Sequence, residues 1–351
     1  MPEPDIAAVD ALCATVPPVD PHAVRLSQVR QRAQARPPDA LGTLDAVAHR
    51  VAGIRRGAAP GPLPAVVSVL AGDHGVARHG TSRYRHGYTG RVLELIRAGL
   101  APVCTLAARV PARVECADVG LAEPVGDQRY KIGPGTRDIT RDPAMAPEQV
   151  VRAVLGGARY ATERLTDVPM VAVGEIGVGN TTAATALAAR LLDTDVADLV
   201  GAGSGVTADV VARKRRLIDT ALTRHAGVPG DPLALLAALG GFEIAGNVGV
   251  ILAAAGRRQV VVIDGTMTAV AALVAVRLCP ASAGYLVAGH RSTEPAHQAV
   301  LADLGLPPLL DLGMRLGMAA GAVLALHLIN GVLAVAESTP SARSAGLVAL
   351  P

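Results

Sequence analysis

Residues 170–187 read Met170-Val171-Ala172-Val173-Gly174-Glu175-Ile176-Gly177-Val178-Gly179-Asn180-Thr181-Thr182, then Ala-Ala-Thr-Ala-Leu. A short apolar run passes into a glycine-rich turn and then into an Ala-rich helical stretch, which is the signature of strand, turn and helix. Glycines after a strand let the backbone come close to an anion, and the helix that follows offers free N–H groups and a positive dipole end. Thr181 or Thr182 is placed to cap that helix or to meet a phosphate oxygen. The spacing is neither GxxxxGK[ST] nor GxGxxG, so phosphate binding and a merely tight turn fit it about equally.

The same pattern recurs along the chain. Apolar, β-branched runs at Ala65–Ala71, Arg113–Val119, Gln259–Ile263 and Ala283–Ala288 each alternate with helical stretches. Gly72-Asp73-His74-Gly75 follows the first, Asp118 closes the second, Asp264-Gly265 follows the third and Gly289-His290-Arg291-Ser292 the fourth. Continuous apolar runs between helices predict a doubly wound α/β fold on a mostly parallel sheet. Polar and glycine residues at successive strand ends predict one cleft at the carboxyl edge. Residues 1–60, broken at Pro17-Pro18 and Pro37-Pro38, and 300–351, broken at Pro307-Pro308, read as helical.

Composition removes several classes of function. The 351 residues are half hydrophobic but only 2% aromatic, with no Trp and Phe242 as the single Phe, so stacking platforms for nucleic-acid bases are not available. With 33 basic and 30 acidic residues the net charge is +3, and dispersed charge gives no stripe for a polyanion. The four cysteines, Cys13, Cys104, Cys116 and Cys279, form no CxxC pair, and neither disulfides nor a metal site is expected. That cysteine pattern fits a reducing cytoplasm, and the opening MPEPDIAAVDAL lacks a basic stretch before an apolar one, so no signal peptide is expected. Leu316–Ala336 carries no charge and could span a bilayer by length, but His327, Asn330 and its small residues favour a buried helix.

A second glycine turn, Gly201-Ala202-Gly203-Ser204-Gly205, lies upstream of Lys214, and together they suit a phosphate with its charge compensated. The bland alternative places Lys214 on a solvated basic face with Arg213, Arg215 and Arg216.

These segments resemble the nicotinate-nucleotide–dimethylbenzimidazole phosphoribosyltransferases. GEIGVGNTTAATAL (174–187) is similar to that family's GEMGIGNTT segment, and AGDHGVARHGTSRY (71–84) to its DHGV segment. KIGPGTRDI (131–139), GGFEIAGNVGVILAAA (240–255), VVIDGTMTAVAAL (261–273) and HRSTEPAHQAVLADLGLPPLLDLGMRLG (290–317) match further blocks in order. The resemblance implies that the two chain ends, 1–60 and 300–351, form a smaller helical domain beside a large domain over 61–299. It also implies a homodimer without cofactor that moves ribose 5-phosphate from nicotinate mononucleotide to 5,6-dimethylbenzimidazole. It places Gly177, Gly203 and Lys214 around the phosphate, with Gly179, Asn180 and Thr181 in the same turn. Glu175 and Ser292 then line the site, and Ser82, Tyr84 and His86 fall where the base pocket begins.

The resemblance breaks at one place. The family reads RLGEGTGA where this chain reads Arg315-Leu316-Gly317-Met318-Ala319-Ala320-Gly321-Ala322, so Met318 stands at the position of the catalytic glutamate. A thioether cannot take a proton from the acceptor base. Arg85, His86, Thr266 and Asn247 are smaller departures; the polar groups at Arg85, His86 and Asn247 would suit an altered base pocket, or are ordinary surface and helix variation. Three readings follow: transfer with Glu175 or His86 taking the proton, transfer to a different acceptor in another pathway, or nucleotide binding without turnover as partner subunit to an intact homologue.

Overall fold

The computed structural model describes residues 5–57, 61–85, 87–203 and 205–347. Three helices lead in, α1 (Ile6–Ala14), α2 (Pro21–Arg32) and α3 (Thr43–Arg55), separated at the two proline pairs as the sequence predicts. Strand β1 (Ala65–Gly72) is followed by α4 (Tyr88–Arg97) and α5 (Pro102–Ala107), and β2 (Ala112–Gly120) by α6 (Pro147–Arg164). Strand β3 (Met170–Ile176) precedes α7 (Asn180–Leu192), α8 (Val196–Leu199), α9 (Ala208–Arg224), α10 (Pro232–Leu239) and α11 (Phe242–Gly256). Then come β4 (Val260–Ile263), α12 (Thr266–Leu278), β5 (Leu286–Ala288), α13 (Pro295–Asp303) and α14 (Ala320–Ser338).

The five strands form one parallel sheet in the order β2-β1-β3-β4-β5. Helices α11 and α12 pack on one face, α5 and α14 on the other. Both faces are covered, which is why the strands read as unbroken apolar runs: every residue of β1 is buried. The strand order reverses between β1 and β3, which stay paired to Ala71 and Ile176, so the connections leaving their carboxyl ends run apart and open a crevice there.

With few aromatic residues, the core closes by backbone approach. Helices α6 and α11 touch through glycines: a Cβ on Gly157 would overlap the Gly246 carbonyl, and one on Gly249 the Val154 carbonyl. Helix α14 is long and apolar enough to cross a membrane, yet Ala322, Leu326, Ile329 and Leu333 are buried in a helix that packs on β3, β4, α3 and α5.

Two boundaries differ from the sequence reading. The run Ala283–Ala288 is a strand only from Leu286, because β4 offers partners to Leu286, Val287 and Ala288 alone. Before it, Pro280–Tyr285 forms a 3-10 turn, with the Tyr285 hydroxyl donating to the Pro17 carbonyl at 2.7 Å. The uncharged segment from Leu316 does not begin as helix either. Met318 and Ala319 take left-handed φ values of 58° and 65°, so α14 starts only at Ala320.

The glycine contacts are testable in a contrasting pair. Gly249→Val should lower the unfolding free energy by about 1–3 kcal/mol through overpacking. Gly331→Ala, on an open face of α14 with no atom near the added methyl, should raise it by about 0.5–1 kcal/mol. Urea titrations of both variants check the pair, and equal effects would contradict the packing account.

Candidate active site

The crevice at the β1/β3 switch point is a cleft lined by the ends of β3 and β4, the loop after β5, the turn before α14 and the loop before α4. Its empty space is roughly 1090 Å³, counting the open mouth. Glu175, Gly177, Gly179, Asn180, Thr181, Gly203, Ser292, Ser82, Tyr84 and Met318 all line it. His86 lies outside the described residues.

At the β3 end, Gly177 sits so close to β1 that a Cβ would overlap the Gly72 carbonyl. Gly179, at φ 93°, turns the chain into α7 as its N-cap. Neither Thr181 nor Thr182 caps that helix. Thr182 is fully buried, and Thr181 Oγ1 instead accepts from the Lys214 ammonium at 3.2 Å. Lys214 departs from its basic neighbours. Arg213, Arg215 and Arg216 are exposed, while Lys214 is 0% exposed and also donates to the Gly201 carbonyl at 3.0 Å. The solvated-face reading of Lys214 is therefore overturned. Burial lowers its proton affinity and nearby Glu294 raises it again.

Across the cleft, Ser292 is set by His297, whose Nδ1 accepts from the Ser292 amide at 3.0 Å. Burial holds His297 down to about 3, so the imidazole is neutral and remains an acceptor. Asp264, at the end of β4, accepts from the Gly321 and Ala322 amides at 2.7 and 3.0 Å and so caps α14. His290 Nε2 lies 3.4 Å from the same carboxylate oxygen.

The other end of the cleft is apolar. The rings of Tyr84 and Tyr88 stack with centroids 3.8 Å apart, and Ser82 Oγ fixes their loop by accepting from the Tyr84 amide at 3.1 Å. Met318 is only 6% exposed. Its amide donates to the Glu175 carbonyl at 3.2 Å, which clamps the turn before α14 onto β3. Thr266 lines the cleft, but two other departures do not touch it. Asn247 is fully buried in α11, its amide donating to the Gly174 carbonyl at 3.2 Å, and so braces the back of β3. Arg85 lines the neighbouring groove with Asp73 and Glu94. The reading of Asn247 and Arg85 as base-pocket residues is corrected accordingly.

Glu175 carries the electrostatics. Its carboxylate accepts from the Asn180 amide, and burial, then Glu243 and Asp264, hold it well above the usual 4.5. Glu243 has His74 at 2.7 Å, and Asp264 has His290 and two amides. No ion pair of Glu175 is found among the described residues. Glu294, Arg315 and Tyr88 also line the cleft and were missed in sequence. Glu294 was detectable as the residue before Pro295, a helix N-cap position. Among the described residues no three His, Cys, Asp or Glu side chains are arranged to hold a metal.

A cleft with a lysine-backed glycine turn at one end, an apolar ring slot at the other and a carboxyl group between them has the parts of a phosphoribosyl-transfer site, and a phosphoribosyltransferase family model (DBI_PRT) matches residues 16–347. The chain belongs to the nicotinate-nucleotide–dimethylbenzimidazole phosphoribosyltransferase family. It is 40% identical over 339 residues to the enzyme of that name from Roseiflexus sp. (strain RS-1), covering 95% of this chain and 96% of the relative. It is also 40% identical over 317 residues to that from Pseudomonas fluorescens (strain SBW25), covering 89% and 90%. The crystal structure of the Thermus thermophilus enzyme of the same name superposes with a TM-score of 0.88 at 34% identity, covering 94% of this chain and 100% of that one.

The raised affinity of Glu175 for its proton makes a prediction about stability. Between the ordinary carboxylate range and the raised value, the folded chain holds a proton that the unfolded chain has lost. That contribution is complete at low pH and is lost as pH rises through the raised value. Glu175→Gln keeps the shape and removes the titration. Its stability relative to the parent should therefore grow as pH rises above the ordinary carboxylate range in paired urea titrations. A flat difference would mean that Glu175 ionises normally.

Proposed function

We propose that the chain transfers ribose 5-phosphate from nicotinate mononucleotide to 5,6-dimethylbenzimidazole or a related planar azole, releasing nicotinate and forming α-ribazole phosphate. The observation that carries this reading is the polarity of the cleft, which suits a phosphate at the Gly177, Gly203, Lys214 and Ser292 end and a flat apolar ring beside Tyr84 and Met318.

In this scheme, one acceptor nitrogen bonds to the anomeric carbon as the bond to the pyridinium nitrogen breaks. The bonding pair returns to the ring, and nicotinate leaves without an acid. The proton on the other acceptor nitrogen passes to the Glu175 carboxylate, which does the work that residue 318 does elsewhere in the family. Burial and the nearby Glu243 and Asp264 raise the proton affinity of this carboxyl, so its ionised form is a stronger base than an ordinary carboxylate. Gly179, Asn180 and Thr181 hold the turn that orients the donor, and that fixed geometry supplies much of the rate. Ser82, Tyr84 and His86 form the acceptor's rim. We further propose a cytoplasmic homodimer with no cofactor.

Incubation with nicotinate mononucleotide and dimethylbenzimidazole, read as nicotinate release, tests this. The unaltered chain should turn over, and Glu175→Gln should lower the rate by about 10²–10⁴. Absence of release in the parent with recovery in Met318→Glu would favour an impaired partner subunit. Release only with another acceptor would favour the changed-substrate reading. Sedimentation at several concentrations tests the dimer.

A further inference from the structure

The phosphate end of the cleft already contains an anion. Glu294, at the N-cap of α13 and buried, accepts from the Gly203 amide at 2.7 Å. Its carboxylate presses on the same turn at Gly201, where a Cβ would overlap it. Lys214 supports that turn from beneath through the Gly201 carbonyl and Thr181. Glu294, Thr181 and Gly203 line the cleft, whereas Lys214 has no exposed surface. An amide donor and an ammonium are the groups a phosphate monoester would use.

We propose that the Glu294 carboxylate occupies the seat of the donor's phosphate and that a phosphate dianion displaces it on binding. The inference rests on the function proposed above. Two anions side by side on one amide and one ammonium would repel, so one must leave. The dianion, with three acceptor oxygens, is the stronger competitor for Lys214. Glu294 then determines donor specificity, because a neutral riboside has no charge with which to evict it.

Calorimetric binding of inorganic phosphate and of nicotinate mononucleotide to the parent and to Glu294→Gln tests this. The glutamine keeps an oxygen for the Gly203 amide but loses the charge. Both ligands should bind it about tenfold or more tightly, and nicotinate riboside should bind the parent at least tenfold more weakly than the mononucleotide. Unchanged or weaker phosphate binding by a folded Glu294→Gln would overturn the proposal. Should that variant fail to fold, the parent decides: its Gly203 amide resonance should shift on phosphate addition, and an unmoved resonance under saturating phosphate overturns the proposal. Normal nicotinate release with an unmoved Gly203 would refute this inference while leaving the transferase reading intact.

Discussion

The hydrogen bond from the Met318 amide to the Glu175 carbonyl holds the cleft together. It ties the turn before α14 to the end of β3, beside the point where the strand order reverses. On one side, that turn starts α14, which Asp264 then caps. On the other, it closes over Glu175 and shuts out the water that would normally keep a carboxylate ionised. Ala319 follows with a left-handed backbone and its methyl against Gly174, a pairing possible only because Gly174 has no side chain. Fold and chemistry thus meet in two residues of turn and two of strand.

This arrangement gives the substitution at Met318 a physical meaning. A glutamate at that position would stand beside Glu175, and two neighbouring carboxyl groups in a dry site push one another's proton affinity apart. With methionine there, no second carboxyl competes with Glu175, which in the proposed scheme takes the proton alone. Its environment is still acidic, because Glu243 and Asp264 both raise it, although Glu243 Oε1 pairs with His74 and Asp264 meets His290 and the α14 amides. The thioether also extends the apolar end of the cleft, which favours a flat ring with little charge.

Much of this was legible in the sequence, and for an identifiable reason. A parallel sheet covered on both faces leaves its strands apolar throughout, so the polar residue ending each run marks the cleft edge. Glu175, Asp264 and His290 were found that way. Lys214 could not be separated from Arg213, Arg215 and Arg216, because burial of one position in four on α9 is decided by α7 and the Gly201 turn, not by local composition. Asn247 was misplaced for the opposite reason. A polar residue in an apolar helix reads as functional, whereas here it satisfies a strand carbonyl from behind. The left-handed turn at Met318 and Ala319 had no local signal, since both are ordinary helix formers. Its conformation is imposed by the end of β3.

The most direct test of this account is a crystal structure with the acceptor and a nonreactive donor analogue bound. The account predicts the acceptor's protonated ring nitrogen within about 2.6–3.2 Å of the Glu175 carboxyl, with its ring against Met318. A ring nitrogen turned away from Glu175 toward solvent or another side chain would contradict it.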